Sequence, residues 1–258
     1  EKKIKKLYTF IGRNISSKSK ATQRKVSQHY RILIQRVQWI HSIGLTVLPL
    51  VDAAGYVVPD LSHYLPLVDR IVDQADKRVL QGIQVAADTK LYSLFESHTE
   101  LLKRGKAGKP IEFGHMVLLA QTGEKFIHHY EVMAKRRADK DLLQPALDAH
   151  NALFGQYPNV LAADKGFYES MEHIRALEEK ISVVSIGKKG RRNAEECRRE
   201  KTEEFREGQR FRAGVEGSIS VLKRAYDLDR CLFKGFKNYA ASVGLAVLCH
   251  NLILLTRL

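Results

Sequence analysis

Val160-Leu161-Ala162-Ala163-Asp164-Lys165-Gly166-Phe167-Tyr168, followed by Glu169 to Glu179 and then Ile181-Ser182-Val183-Val184-Ser185-Ile186, decides how this chain is read. The first apolar run has the length of a buried strand and ends in a carboxylate. Met171, Ile174 and Leu177 then recur at helical spacing from Glu169 or Ser170 onward, and Ile181 to Ile186 is again a strand. Strand, helix and strand in close succession predict an α/β architecture.

Upstream, Phe113 to Ala120 and Lys125 to Met133 read as two strands joined in a hairpin around Gln121-Thr122-Gly123-Glu124. Asp141 to Phe154 carries Leu142, Leu143, Ala146, Leu147, His150 and Leu153 at helical spacing, with Asp139 or Asp141 as the expected N-cap. Downstream, Lys188 to Arg210 reads as a basic loop of mixed charge that leads into a helix over Arg212 to Lys223. Tyr239 to Leu255 is the most apolar segment, but His250 and Asn251 interrupt it, so it is expected as a buried helix and not a bilayer span.

Residues 1 to about 80 have a different texture, helical and basic. Val26, Tyr30, Leu33, Ile34, Val37 and Ile40 mark one amphipathic helix, and Leu65, Val68, Ile71, Val72, Ala75 and Val79 mark another. Gly44 to Asp60 holds turn signals between them, chiefly Ala54-Gly55 and Pro59-Asp60. The expected division is a helical basic region over 1–82 and a mixed α/β domain over 83–258.

A formal charge of +14 over 258 residues favours a polyanionic partner, with nucleic acid ahead of an anionic membrane because no polybasic stretch adjoins an apolar span. Lys18, Lys20, Arg24, Lys25, Arg31 and Arg36 line the first helical region, either along DNA or as a solvated face. The apolar run after Lys6 is too short for a signal peptide. Cys197, Cys231 and Cys249 form no C-x-x-C, so neither a disulfide framework nor a zinc site is indicated, and a reducing cytoplasm fits.

The chemistry-bearing residues are two carboxylates in different settings, Asp164 at a strand end and Glu216 on a helix. Helical residues advance by about 100°. Four residues from Arg212 to Glu216 and seven from Glu216 to Lys223 therefore place all three on one face. Carboxylates brought together from distant segments can hold a pair of divalent metals for phosphodiester chemistry, while Arg and Lys hold phosphates. A surface ion-pair ladder is the plainer account of the same face.

Asp164-Lys165-Gly166-Phe167-Tyr168 resembles the D-x-G-[FY] block, and Arg212-x3-Glu216-x6-Lys223 the R-x3-E-x6-K block, of bacterial insertion-sequence transposases of the DDE type. Ser93 to Glu100, Phe113-Gly114-His115 and Asp229-Arg230-Cys231 are similar to segments of the ISNCY group, and the resemblance covers roughly residues 60 to 258. It implies a ribonuclease-H-like core, here lacking its first strand, with an N-terminal helical insertion. It also implies two Mg²⁺ ions, with Mn²⁺ able to substitute, held by Asp164, Glu216 and a third carboxylate. The implied partners are double-stranded DNA, as insertion-sequence ends and target, and further copies of the chain on that DNA, without a membrane. Where such blocks often carry a Tyr three residues before the Arg, this chain has Gln209.

The third carboxylate is open among several positions. By the resemblance it lies on a first strand ahead of Glu1, so that this chain is a fragment. Asp88 is an alternative if Val85-Ala86-Ala87-Asp88-Thr89 forms a short strand, and Glu96 and Glu100 are the others. A non-catalytic DNA-binding remnant and a structural module with basic helices are the competing functional readings. His128 and His129 are adjacent in a strand, so they point to opposite faces and cannot share one metal. His115 is expected on a strand beside the site, in a packing role or near phosphate. Gly166 is expected to let the chain turn sharply after Asp164 and keep bulk away from the metals, or to be an ordinary turn glycine. Lys188, Lys189, Arg191 and Arg192 are the expected DNA contacts, ahead of the acids that begin at Glu195.

Overall fold

The computed structural model describes residues 2–103 and 111–257, and the chain divides into two compact units, Glu1–Thr99 and Glu100–Leu258. The first unit is built on α1 (Lys2–Asn14), α2 (Lys20–Ala53) and α3 (Pro59–Ala75). Ser19 caps α2 by accepting the Thr22 N–H, and Pro59 opens α3, where a missing N–H costs nothing. Residues 44–53, expected as turn, are helix. The reason is packing: a β-carbon at Gly44 would meet Leu65 Cδ2 at 2.7 Å, so glycine lets α3 lie close, and His41 Nε2 donates to the Leu65 carbonyl at 3.0 Å. The Ala54-Gly55 turn does end α2, with Gly55 at φ +80°.

Val85–Thr89 is not the short strand on which Asp88 depended. Ala87–Thr89 forms a single 3₁₀ turn and Asp88 is exposed on it. Side chains of α3 strap this segment down in place of a strand ladder: Arg70 Nε donates to the Thr89 carbonyl at 3.1 Å, and the Gln74 amide bonds both the N–H and the carbonyl of Leu91.

The second unit holds three strand pairs. β1 (Glu100–Lys103) and β2 (Ile111–Gly114) are antiparallel, β3 (Val117–Gln121) and β4 (Ile127–Val132) form the expected hairpin with an irregularity at Ala120/Gln121, and β5 (Val160–Ala163) runs parallel to β6 (Val183–Ile186). Phe113 and Gly114 belong to β2 and not to the hairpin, because Gly114 takes φ +150° and ends that ladder before His115. α4 (Lys140–Phe154) and α5 (Met171–Glu178) pack their leucines and Ile174 with Ile181, Val184 and Ile186 into one core.

Two stretches correct the sequence reading. The segment from Lys188 to Arg210 is largely helical: α6 (Ala194–Arg199) opens with a reciprocal cap between Asn193 and Glu196, and α7 (Glu203–Ala225) opens on Thr202. α8 (Phe236–Leu255) is buried on one face only, through Val243, Ala246, Val247 and His250, while Leu245, Leu248, Leu252 and Leu255 are exposed. By length and composition it could cross a bilayer. Its two polar interruptions point inward to the hairpin: His250 Nε2 donates to the Lys125 carbonyl at 3.1 Å, and the Asn251 amide bonds the N–H and carbonyl of Ile127 at 3.0 and 2.9 Å.

Candidate active site

α7 crosses the parallel pair β5–β6 and brings its side chains to the end of β5. Gly208 permits the approach, because a β-carbon there would lie 2.4 Å from Ser185 Cβ. Ser185 is fully buried and ties the two elements together. Its hydroxyl donates to the Phe205 carbonyl at 2.7 Å, and Gln209 Nε2 donates to the Ser185 carbonyl at 2.6 Å and its Oγ at 3.0 Å. Gln209, standing where the resembling blocks carry Tyr, is thus occupied in seating the helix.

Asp164 follows the last residue of β5 in an extended conformation and leads into a 3₁₀ turn over Lys165–Phe167. Its carboxylate meets α7 through one shared cation. Arg212 Nη1 lies 2.7 Å from Asp164 Oδ1 and 3.4 Å from Glu216 Oε1. The two carboxylate oxygens can be no farther apart than those distances laid end to end. Both side chains are open to solvent, 68% and 69% exposed, whereas Arg212 is 24% exposed and its Nε is buried without a partner. Hard oxygen donors on converging segments, already gathered around a positive charge, are a donor set that suits a divalent cation of the Mg²⁺ or Mn²⁺ kind. Among the described residues no group of three or more His, Cys, Asp or Glu side chains is placed to hold a metal.

A buried network fixes the turn that follows Asp164. Glu196 is 2% exposed and accepts from the Tyr168 hydroxyl at 2.8 Å, Lys188 Nζ at 2.8 Å and the Asn193 N–H at 2.7 Å. Lys188, then the Asn193 N–H and Tyr168, hold its carboxyl at about 2, well below the ordinary 4.5, and burial with Glu196 beside it pushes the Tyr168 hydroxyl up to about 12. Because the native carboxyl is the stronger acid, its contribution to stability is complete above about 4.5 and is lost as pH falls toward about 2. Glu196→Gln is therefore expected to flatten the decline of Tm across that window, as thermal melts at a series of pH values will report; an unchanged slope would place acid sensitivity elsewhere. Asp139 adds a further support. It stands at the start of α4 without capping it, and its Oδ2 would lie 2.1 Å from a β-carbon on Gly166, so Gly166 answers a close approach.

The other sequence-predicted residues are dispersed. Lys223 lies on the Arg212–Glu216 face of α7 by helical phase. Lys188 is held by Glu196 and Arg192 by Glu200 at 2.8 Å, while Lys189 and Arg191 are exposed. Asp88 and Glu96 belong to the first unit, Glu96 bonded to His98 at 2.7 Å; Glu100 accepts the Arg136 N–H at 2.9 Å. His115 lies between β2 and β3, buried against Phe236 and Tyr239, with Nδ1 donating to the Met133 carbonyl. His128 meets His150 and Phe154 of α4 edge to face. Sequence reasoning missed Glu196, although Asn193-x-x-Glu196 is a readable capping pattern; it named Asp139 only as a helix cap and missed its approach to Gly166, and it missed Ser185, because these contacts cross 27 and 20 or more residues without a local signal.

A family model described as the transposase DDE domain matches residues 83–252, well over half of the chain. No curated protein and no solved structure is matched. The chain belongs to the DDE transposase family, enzymes that bind DNA and break and join its phosphodiester bonds with divalent metal ions.

Proposed function

We propose that Asp164 and Glu216 are two of the carboxylates of an insertion-sequence transposase of the ISNCY-like group, and that with a third carboxylate they hold Mg²⁺, or Mn²⁺ in its place. The observation that carries this is the single Arg212 nitrogen shared by two exposed carboxylates from β5 and α7. Held there, a divalent ion would supply activation of the attacking oxygen and stabilisation of the leaving one. Arg212 and Lys223 position the phosphate groups from one helix face. Lys189 and Arg191, exposed beyond β6, contact the DNA backbone farther out, and Lys188 and Arg192 assist where their acid partners release them. The reaction is hydrolysis at the element ends followed by attack of the freed 3′-hydroxyl on target DNA, by a homo-oligomer assembled on paired ends in the cytoplasm.

The fold we infer for 83–258 is ribonuclease-H-like, with 1–82 as a helical basic insertion. The order of elements from β3 to α7, with a parallel pair under the helix that bears Glu216, supports it.

The test is Mn²⁺ binding by calorimetry to the full chain and to Asp164→Asn. Removing a ligand is expected to weaken Mn²⁺ by more than the roughly 10–100-fold that an outer-shell partner is worth, and to abolish Mn²⁺-dependent nicking of DNA. Equal Mn²⁺ affinity in both proteins would remove Asp164 from a metal site. Salt-sensitive DNA binding without nicking at any Mn²⁺ concentration would make this chain a binding remnant.

A further inference from the structure

A cleft of about 570 Å³ opens beside the carboxylate pair, between the turn after Asp164, the end of β6 and the first half of α7. Three cations face it, Lys165, Arg206 and Arg210. Its one acid, Glu200, is already engaged: Oε1 accepts the Lys188 N–H at 2.9 Å and Oε2 pairs with Arg192 at 2.8 Å. Lys165 and Arg206 make no ion pair among the described residues. Arg210 pairs with Glu203 at 2.7 Å and with Glu207 at 3.5 Å, both on the exposed side of its own helix, and surface pairs of that kind are worth little. Two of the three cations are thus left for an anion from outside, and the third is held only by surface pairs that such an anion can displace.

Its position relative to the carboxylates is fixed by the backbone. Lys165 is the residue after Asp164, and Ala213, one turn before Glu216, forms part of the wall. Along α7, Arg210 and Arg206 precede Glu216 by six and ten residues, about 9 Å and about 15 Å at the helical rise. An anionic chain entering at the carboxylate pair meets cations at intervals as it runs toward the start of α7. Small groups keep the walls low: Gly187 faces the Lys165 stem, and Ala213 lines the cleft one turn before Glu216. The volume is that of a small-molecule site, enough for a short run of one nucleic-acid strand.

We propose that this cleft binds the sugar-phosphate backbone of a single DNA strand flanking the reacting phosphate, with Lys165, Arg206 and Arg210 as its phosphate contacts. The inference rests on the site reading given above and adds the path of the strand. Gln209 on the cleft floor is bonded to Ser185 and lends no donor to the strand, so the affinity lies with the three cations.

The experiment is fluorescence anisotropy on the full chain in Ca²⁺, comparing blunt duplex with the same duplex carrying a single-stranded flank, over a series of salt concentrations. Arg206→Gln/Arg210→Gln is expected to weaken the flanked substrate by at least about 10-fold. It should also make the salt slope shallower by roughly 1.4, about 0.7 for each lost single-strand phosphate contact, while blunt duplex changes less than about twofold. Lys165→Gln alone is expected to remove half that slope change, and circular dichroism of each variant secures folding. An equal loss on both substrates, or an unchanged slope, overturns the proposal. If the flank preference falls while Asp164→Asn still binds Mn²⁺ as before, the cleft stands and the metal-site reading fails; the reverse pattern fails the cleft alone.

Discussion

Glu216→Gln is expected to lower metal-dependent strand cleavage by about 10³-fold or more while leaving DNA affinity equal or slightly higher. A divalent ion at a phosphoryl oxygen contributes several kcal/mol to the transition state, and about 4 kcal/mol corresponds to about 10³ in rate. The amide keeps the shape of the carboxylate but not its charge, so on the proposed reading the ion would lose a ligand and the approaching phosphates a repelling neighbour. The fold is not at risk. Glu216 is 69% exposed, its contact with Arg212 is the longer of the two at 3.4 Å, and the Asp164–Arg212 pair survives the change. Cleavage on a supercoiled substrate with Mn²⁺ reads the rate, and anisotropy in Ca²⁺ reads the affinity. Unchanged cleavage would take Glu216 out of the site, and parallel loss of cleavage and binding would mean that it serves the fold or the DNA contact instead.

The largest structural effect is expected at Gly208. Gly208→Ala gains about 1 kcal/mol of helix propensity but sets a methyl 2.4 Å from Ser185 Cβ, an atom that cannot swing aside as the tip of a long side chain could. Overpacking costs about 1–3 kcal/mol, and a contact this short lies at the upper end. The net loss is about 1–2 kcal/mol, read as a fall in Tm of roughly 2–8 °C. Function falls with it, because displacing α7 from β6 also displaces Arg212 and Glu216 from Asp164. Ser185→Gly removes the opposing β-carbon, so the double variant Ser185→Gly/Gly208→Ala is expected to lose less than the sum of the two single changes. Strict additivity, or a Gly208→Ala protein as stable and active as the original, would show that the helix is not seated on β6 as described here.

What the sequence made legible was the part governed by local pattern. The short run ending at Asp164 and the Arg212–Glu216 face needed only strand length and helical period, and both elements fold as read. Gly44 to Ala53 was misread because glycine and proline signal turns locally, whereas here Gly44 serves the approach of Leu65 from α3. The alternative of a strand over Val85–Thr89 fails because, though its apolar residues suit one, Arg70 holds the Thr89 carbonyl and Gln74 the backbone of Leu91 just beyond. α8 was read as a buried helix because His250 and Asn251 interrupt its apolar run; both do turn inward, but composition alone cannot say that only one face is covered. Within the site, helical spacing singled out Arg212 beside Glu216, but its pairing with Asp164 joins residues 48 apart and has no local signal.

Asn251 also bears on how this domain meets other chains. A strand edge leaves amide and carbonyl groups open to any extended segment that arrives, and proteins guard such edges against unwanted pairing. A primary amide carries the same donor and acceptor as a peptide group. By bonding both backbone groups of Ile127, one side chain of α8 stands in for the rung that a neighbouring strand would supply. At that rung β4 is closed to sheet extension, so a variant such as Asn251→Leu would unmask an adhesive edge.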